Sequence, residues 1–316
     1  MKLEQIHIPV LLKESLFYLD LKPGKVVFDG TLGGAGHTVA IFKAIAPTGI
    51  IIAADHDSQA VSTAAKLFEG NKNARLFKGN FTDVLSMINK AGIKKIDGFF
   101  LDLGMSSMQI EESGRGFSYM RDEPLDMRMD NEGDLSAFEV INYYSEEKLK
   151  DIFYKYGEEN YGAAIAGNII KFRNSKVIKT TGDLNRIIEK SVPPKARYGS
   201  RGHPSKRIFQ AIRIEVNREM DNLAEGIDDG FRALNTGGRM VIISYHSLED
   251  RIVKRKFQTM QGKCSCPSGL PECVCGARKV ADILTRKAVT PGEEEIKDNP
   301  RSKSARLRAI EKLEDI

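Results

Sequence analysis

Long hydrophobic runs are missing from this 316-residue chain. The longest apolar stretches, such as Ile50–Ala54 and Met240–Ile243, fall far short of the roughly 18 residues that suggest a membrane span. The N-terminal MKLEQIHIPV has no apolar core and no small-residue cleavage site, so it does not read as a secretory signal. The cytoplasm, with no membrane partner, is the default expectation. Cysteine is scarce and confined to Cys264, Cys266, Cys273 and Cys275. Nothing suggests an oxidising compartment, which argues against a disulfide framework. A strong net charge is missing too: 48 Lys and Arg against 43 Asp and Glu leave +5. No internal repeat or low-complexity tract is present.

What the chain does have is a hydrophobic content of 41% beside 29% charged residues, enough for a sizeable core and against global disorder. Its length suggests about two domains. The positive charge is segregated. Lys195–Arg218 carries seven bases and one acid, Arg251–Lys263 five bases and no acid, and Arg301–Arg308 four bases and no acid. Any one stretch reads as a solvated helix face. Three together point to a polyanion, because counterions released from phosphates drive such binding.

The first third alternates strands and helices. Val26–Phe28, Ile50–Ala54, Ala74–Lys78 and Gly98–Leu101 read as strands, with helices over His37–Ala46, Ser58–Phe68 and Val84–Ala91 between them. This pattern predicts a parallel sheet covered on both faces. Met105–Glu132 has no clear period, and Leu135–Val192 reads as consecutive helices. Ser205–Leu234 is strongly periodic, through Ile208, Ile212, Val216, Leu223 and Ile227, and Arg239–Ser244 is a fifth strand. The expectation is a doubly wound, mostly parallel α/β sheet with an inserted all-helical domain. Its parts are 1–112, an insertion with its linker over 113–204, and 205–316.

The segment from Val26 to His37 is a strand, a glycine turn and a helix start. Glycines there allow a ligand to touch the backbone. Asp55 closes the second strand, where an acid can accept hydrogen bonds from both ribose hydroxyls of an adenosine ligand. A tight turn and a solvated acid is the plainer reading. A dinucleotide fingerprint fails because its third glycine position is Val39, and no Gly-Lys-Ser/Thr follows, which excludes a P-loop. The D-x-G-x-G-x-G turn of S-adenosylmethionine-dependent methyltransferases fits at Asp29, with Thr31 and Ala35 at two glycine positions. Asp29 either organises the loop or reaches the ammonium of the methionine moiety. Phe81, after the third strand, either stacks on adenine or packs in the core. Asp102 ends the fourth strand, where doubly wound folds place chemistry.

Longer motifs accompany these: Asp29–His37 (DGTLGGAGH), Asp102–Gln109 (DLGMSSMQ), Arg115–Asp122 (RGFSYMRD), Pro124–Asp130 (PLDMRMD), Phe209–Asn217 (FQAIRIEVN) and Ser244–Lys254 (SYHSLEDRIVK). Together they resemble the bacterial ribosomal RNA small subunit methyltransferase H family, from about His7 to about Arg308. The resemblance implies a methyltransferase of the S-adenosylmethionine-dependent type with an inserted helical domain; the basic stretch beginning at Lys195 makes that domain and the loop before Ser205 the expected RNA-binding part. It implies N4-methylation of one cytidine in the decoding centre of 16S rRNA, in the small ribosomal subunit or its assembly intermediate. The implied cofactor contacts are Ala35, Gly36, His37, Asp55, Phe81, Asp102 and Gln109.

The exocyclic amine of cytosine is a poor nucleophile, because its lone pair is conjugated with the ring. Catalysis then needs alignment, and acceptors for the amine N–H bonds. Many amino-methyltransferases place Asp/Asn/Ser-Pro-Pro-aromatic after strand four; here Asp102-Leu103-Gly104-Met105 stands there, and Asp102 and Ser106 are the candidate acceptors. His246 and Asp250 read either as an acid–base pair or as a structural loop network. Arg251, Lys254 and Arg255 are candidates for phosphate contact, Phe117 and Tyr119 for stacking on an unstacked base. Cys264-x-Cys266 and Cys273-x-Cys275, separated by a turn-rich segment, suit a closed structural zinc site; four reduced thiols in a loop is the alternative. Competing functions are methylation of another RNA or of a protein, and RNA binding as an assembly factor without catalysis.

Overall fold

The computed structural model describes residues 9–104, 114–130, 132–197, 202–264, 266, 274 and 277–315. In chain order the helices of these residues are α1 (Leu12–Leu19), α2 (Gly36–Ile45), α3 (Ser58–Leu67), α4 (Val84–Lys90), α5 (Ala137–Tyr143), α6 (Glu146–Lys155), α7 (Gly162–Arg173), α8 (Thr181–Ser191), α9 (Pro194–Arg197), α10 (Pro204–Asn217), α11 (Glu219–Ala233), α12 (Ser247–Met260) and α13 (Glu293–Asp298). Strands are β1 (Val26–Asp29), β2 (Ile50–Asp55), β3 (Ala74–Lys78), β4 (Ile96–Asp102), β5 (Leu234–Ser244), β6 (Ala281–Ile283) and β7 (Arg306–Lys312). The chain divides into two compact units, one of Met1–Gly104 with Met220–Ile316 and one of Met105–Glu219.

The first unit is a seven-stranded sheet in the order β3-β2-β1-β4-β5-β7-β6. Neighbours among β1 to β5 pair in parallel, and β7 runs antiparallel to β5 and β6. This is the doubly wound, mostly parallel sheet expected. Successive residues of the apolar strands face opposite sides. Phe28, Ile52, Phe99 and Ile242 join a core layer with α4, α11 and α12 residues such as Met87, Ile227 and Phe257. Val27, Ile51, Phe100 and Val241 join another with Leu19 of α1 and Ile41 and Ile45 of α2. Burial on both faces is why these strands are continuous apolar runs. Gly226 and Gly230 let α11 lie close: a Cβ would stand 2.4 Å from the Phe81 ring at the first and 2.6 Å from the Phe99 ring at the second. Lys312 is buried at the end of β7, and its Nζ donates to the Phe231 carbonyl in the last turn of α11 and the Leu234 carbonyl at the start of β5.

The second unit is helical where described. Its α10 packs against α5, α6 and α8. The expected boundary at residue 204 is therefore displaced: the unit runs to Glu219. The apolar period continues from Ile208 to Ile227, but Arg218 adopts φ 50° and separates α10 from α11. The apolar face of α10 is buried in the helical unit, while that of α11 is buried on the sheet.

No helix of the described residues is long and apolar enough to cross a membrane.

Candidate active site

The carboxyl ends of β1, β2 and β4 bring Asp29, Asp55 and Asp102 to one edge of the sheet. Asp29 is fully buried and organises the turn. Its Oδ1 accepts from the Thr31 amide at 3.0 Å and its Oδ2 from the Thr38 hydroxyl at 2.6 Å. Burial pushes its pKa above the ordinary carboxylate range, against the pull of these hydrogen bonds. Of the two roles open to Asp29, loop organisation is the one its contacts display.

Asp55 ties the glycine turn to β2. Its Oδ2 accepts from the Gly33 amide at 2.8 Å and its Oδ1 from the Asp57 amide at 2.9 Å. Burial raises its pKa, and those two amides oppose the shift. Each carboxylate oxygen keeps a further lone pair, so acceptance from ribose hydroxyls is compatible with this lock.

Ala35 precedes α2 with φ 62°, a left-handed conformation that favours glycine. No side chain caps α2 at Ala35, so the amides of Gly36 and His37 begin the helix without a side-chain acceptor. His37 is buried; its Nε2 lies 3.0 Å from the Val10 carbonyl and its Nδ1 3.4 Å from Asp102 Oδ2.

Asp102 is the meeting point. Its amide donates to Thr31 Oγ1 at 2.7 Å, and its Oδ1 accepts from the Tyr245 hydroxyl at 2.8 Å. The carboxylate is 22% exposed, so it is open to a ligand while Tyr245 and His37 hold it. Tyr245 carries no role of its own in the sequence motifs; burial and the Asp102 charge raise its pKa and keep the hydroxyl a donor. Gly104 leaves room for its ring, which a Cβ would approach to 3.0 Å.

Phe81 packs in the core, in the layer that holds Phe28, Leu101 and Ile227, with Gly30 and Gly226 making space for it. Its contacts are those of core packing, one of the two roles read for it. Ser106 and Gln109 lie outside the described residues.

His246 and Asp250 do not pair with each other. His246 caps α12: its Nδ1 accepts from the Glu249 amide, and Glu249 Oε2 accepts from the His246 amide at 3.2 Å, a reciprocal capping box. Asp250 turns instead to β7, where its carboxylate accepts from Arg308 at 2.6 Å and from Arg306 at 3.2 Å. The structural network, one of the two alternatives, is what these residues form. The H-x-x-E spacing at the start of an amphipathic helix was the signal for it.

Within the helical unit the quoted motifs fold onto one another. Arg128 grips Asp126 with two 2.8 Å bonds, and Asn217 accepts from the Met129 amide and donates to the Met127 carbonyl, each at 2.8 Å. PLDMRMD is thus pinned by the last residue of FQAIRIEVN. Phe117 lies under the Arg115 guanidinium, and Tyr119 stacks on His203 at 5.6 Å. Part of the basic stretch is neutralised: Arg207 pairs with the buried Glu159, and Arg213 with Glu219. Arg197 donates to the Val192 carbonyl, and Arg201 lies outside the described residues.

Arg251, Lys254 and Arg255 are exposed on α12. Cys264 is exposed and Cys266 half-buried, the Cys266 amide donating to Cys264 Sγ at 3.4 Å. Cys273 and Cys275 lie outside the described residues.

A family model described as the MraW methylase family matches residues 4–313. The chain belongs to the MraW methylase family. The methylase is 46% identical over 308 residues to the ribosomal RNA small subunit methyltransferase H of Clostridioides difficile, covering 97% of this chain and 99% of that protein. It is 45% identical over 307 residues to the proteins of the same name from Clostridium botulinum (strain Loch Maree) and Halothermothrix orenii, covering 97% of this chain and 99% and 98% of theirs.

Proposed function

We propose that this methylase transfers the methyl group of S-adenosylmethionine to N4 of one cytidine in the decoding centre of 16S rRNA, in the small subunit or its assembly intermediate, in the cytoplasm. The observation that carries the reading is the Asp102 carboxylate at the end of β4, partly exposed and held by Tyr245 and His37, with the Asp102 amide bonded to the Thr31 hydroxyl. It stands beside the glycine turn in a chain whose curated relatives are named for ribosomal RNA methylation.

The donors present suit the cofactor. The uncapped start of α2 at Gly36 and His37 offers amides to a carboxylate, Asp55 offers lone pairs to two ribose hydroxyls, and Ala35 sits at the close-approach position of the turn. Phe81 bounds this end of the core, and Gln109 is the remaining family contact. The cofactor supplies an electrophilic methyl group when bound. The chain's own work is to align the amine and accept its N–H bonds. Asp102 is the candidate acceptor, with Ser106 as the second. An acceptor there lets the nitrogen become pyramidal and frees its lone pair. A proton leaves afterwards, so no strong base is required.

RNA is assigned to the helical unit and to the basic segment from Lys195 that includes Arg197 and Arg201. A structural zinc on Cys264, Cys266, Cys273 and Cys275 belongs to the same reading, and rests on the two C-x-C pairs and the turn-rich segment between them. Metal analysis of protein purified without chelator tests it: one zinc per chain is expected, and four freely titratable thiols with no metal contradict it. The function itself is tested by incubating undermethylated small subunits with the protein and S-adenosylmethionine carrying a labelled methyl group. Label in 16S rRNA is expected; label only in protein, or none, overturns it.

A further inference from the structure

A second cluster of polar chemistry lies within the sheet unit, away from the strand-end acids. A hollow of about 280 Å³ opens where α12 faces β7 and the residues after β6. Lys254, Arg286 and Arg308 line it, with Gln258 and Gln261 as hydrogen-bonding groups and Phe257 beneath. No acid lines it.

The charge of this hollow is only partly compensated. Asp250 is shared by Arg308 and Arg306, so one carboxylate faces two guanidiniums. The other acids of the surrounding elements are committed elsewhere: Asp282 to Lys279, Glu311 to Arg239, and Glu249 to the cap of α12. Among the described residues, no acid pairs with Lys254 or Arg286. The walls are fixed. Thr285 is buried and accepts from the Ala309 amide at 2.9 Å, and the Leu284 amide donates to the Ala309 carbonyl at 3.0 Å, which staples the Arg286 segment to β7. Arg308 is held by two bonds to Asp250. One fixed guanidinium and two cations unpaired among the described residues, beside amide groups over an apolar floor, suit one phosphodiester with its sugar and base.

We propose that this hollow is a second RNA-binding site, which seats a backbone phosphate of the substrate RNA between Lys254, Arg286 and Arg308. The inference rests on the RNA-directed reading of the protein. It assigns a positioning contact to the sheet unit itself, independent of the helical unit and of the cofactor turn. Recognition there is electrostatic and carries no base specificity beyond what Gln258 and Gln261 add.

The test is the salt dependence of binding to a fluorescently labelled single-stranded oligoribonucleotide of 16S sequence. Lys254→Glu/Arg286→Glu is compared with a control of equal charge change on α3 and the following loop, Lys66→Glu/Lys72→Glu. The hollow variant is expected to lose about tenfold in affinity and to flatten the log–log salt slope by about 0.7, the value for one lost single-strand phosphate contact. The control is expected to lose far less. Both should keep the melting temperature and the S-adenosylmethionine affinity of the parent. Equal losses in the two variants, or an unchanged slope in the first, overturn the site. An unmodified protein that fails to bind the oligoribonucleotide or small subunits overturns the RNA-directed reading, and this inference with it.

Discussion

The Tyr245 hydroxyl donates to Asp102 Oδ1 at 2.8 Å, joining the loop after β5 to the carboxyl end of β4. The loop is itself pinned, since the Tyr245 amide donates to Glu249 Oε2 at 2.8 Å within the cap of α12. A residue quoted within a motif but given no role of its own thus orients the carboxylate on which the proposed chemistry depends.

Tyr245→Phe keeps the ring against Gly104 and removes the hydroxyl. A hydrogen bond to a charged group contributes about 1.5–3 kcal/mol, so kcat for methyl transfer should fall roughly 10- to 100-fold. The KM for S-adenosylmethionine should change little. Because the tyrosine stays protonated in its raised-pKa environment, the loss should be flat with pH across the neutral range. An unchanged kcat would show that Asp102 is oriented without this bond.

Asp55→Ala removes two functions at once. Loss of the proposed ribose hydrogen bonds should weaken S-adenosylmethionine binding by about 2–4 kcal/mol. Loss of the acceptor for the Gly33 and Asp57 amides should also lower stability by about 1–3 kcal/mol. Calorimetric titration of the cofactor at a temperature where the variant is folded separates them. Unchanged affinity there would remove Asp55 from the cofactor site.

The fold was legible where strands are apolar on both faces and end in acids. Val26–Phe28, Ile50–Ala54 and Gly98–Leu101 gave away both the parallel sheet and the positions of Asp29, Asp55 and Asp102. The break at Arg218 was not legible, since a non-glycine residue in the left-handed region leaves no compositional mark. Pairing of Asp250 with Arg306 and Arg308, and of Tyr245 with Asp102, was hidden by separations of 56, 58 and 143 residues. Summed charge misled in one respect: Arg207 and Arg213 count towards a basic stretch, yet Glu159 and Glu219 neutralise them.

Gly230→Ala tests the close approach of α11 to the sheet. Alanine gains about 1 kcal/mol in helix propensity. The new methyl would meet the buried Phe99 ring at 2.6 Å, and overpacking of this kind costs about 1–3 kcal/mol. Net destabilisation of up to about 2 kcal/mol is expected in denaturant unfolding. A more stable variant would mean that the helix stands further from β4.

Burial pushes the Asp250 carboxyl up, but Arg308 and Arg306 outweigh it and leave the pKa below the ordinary value. The folded chain therefore binds this proton more weakly than the unfolded chain. Its stabilisation is fully present above a pH of about 4 and is lost as the pH falls through the folded value. Asp250→Asn should be less stable at neutral pH and should lose less stability on acidification. Parallel curves for the two proteins from neutral to acid pH would contradict the ion pairs.

Nucleotide-resolved mass mapping of 16S rRNA tests the central claim most directly. Small subunits lacking the modification are incubated with the protein and S-adenosylmethionine, then digested and sequenced by fragmentation. The account predicts one added methyl group on the exocyclic N4 of a single decoding-centre cytidine, lost in Asp102→Asn at equal cofactor occupancy. A methyl group on a ring carbon, on a ribose hydroxyl, or on a nucleotide outside the decoding centre would contradict it.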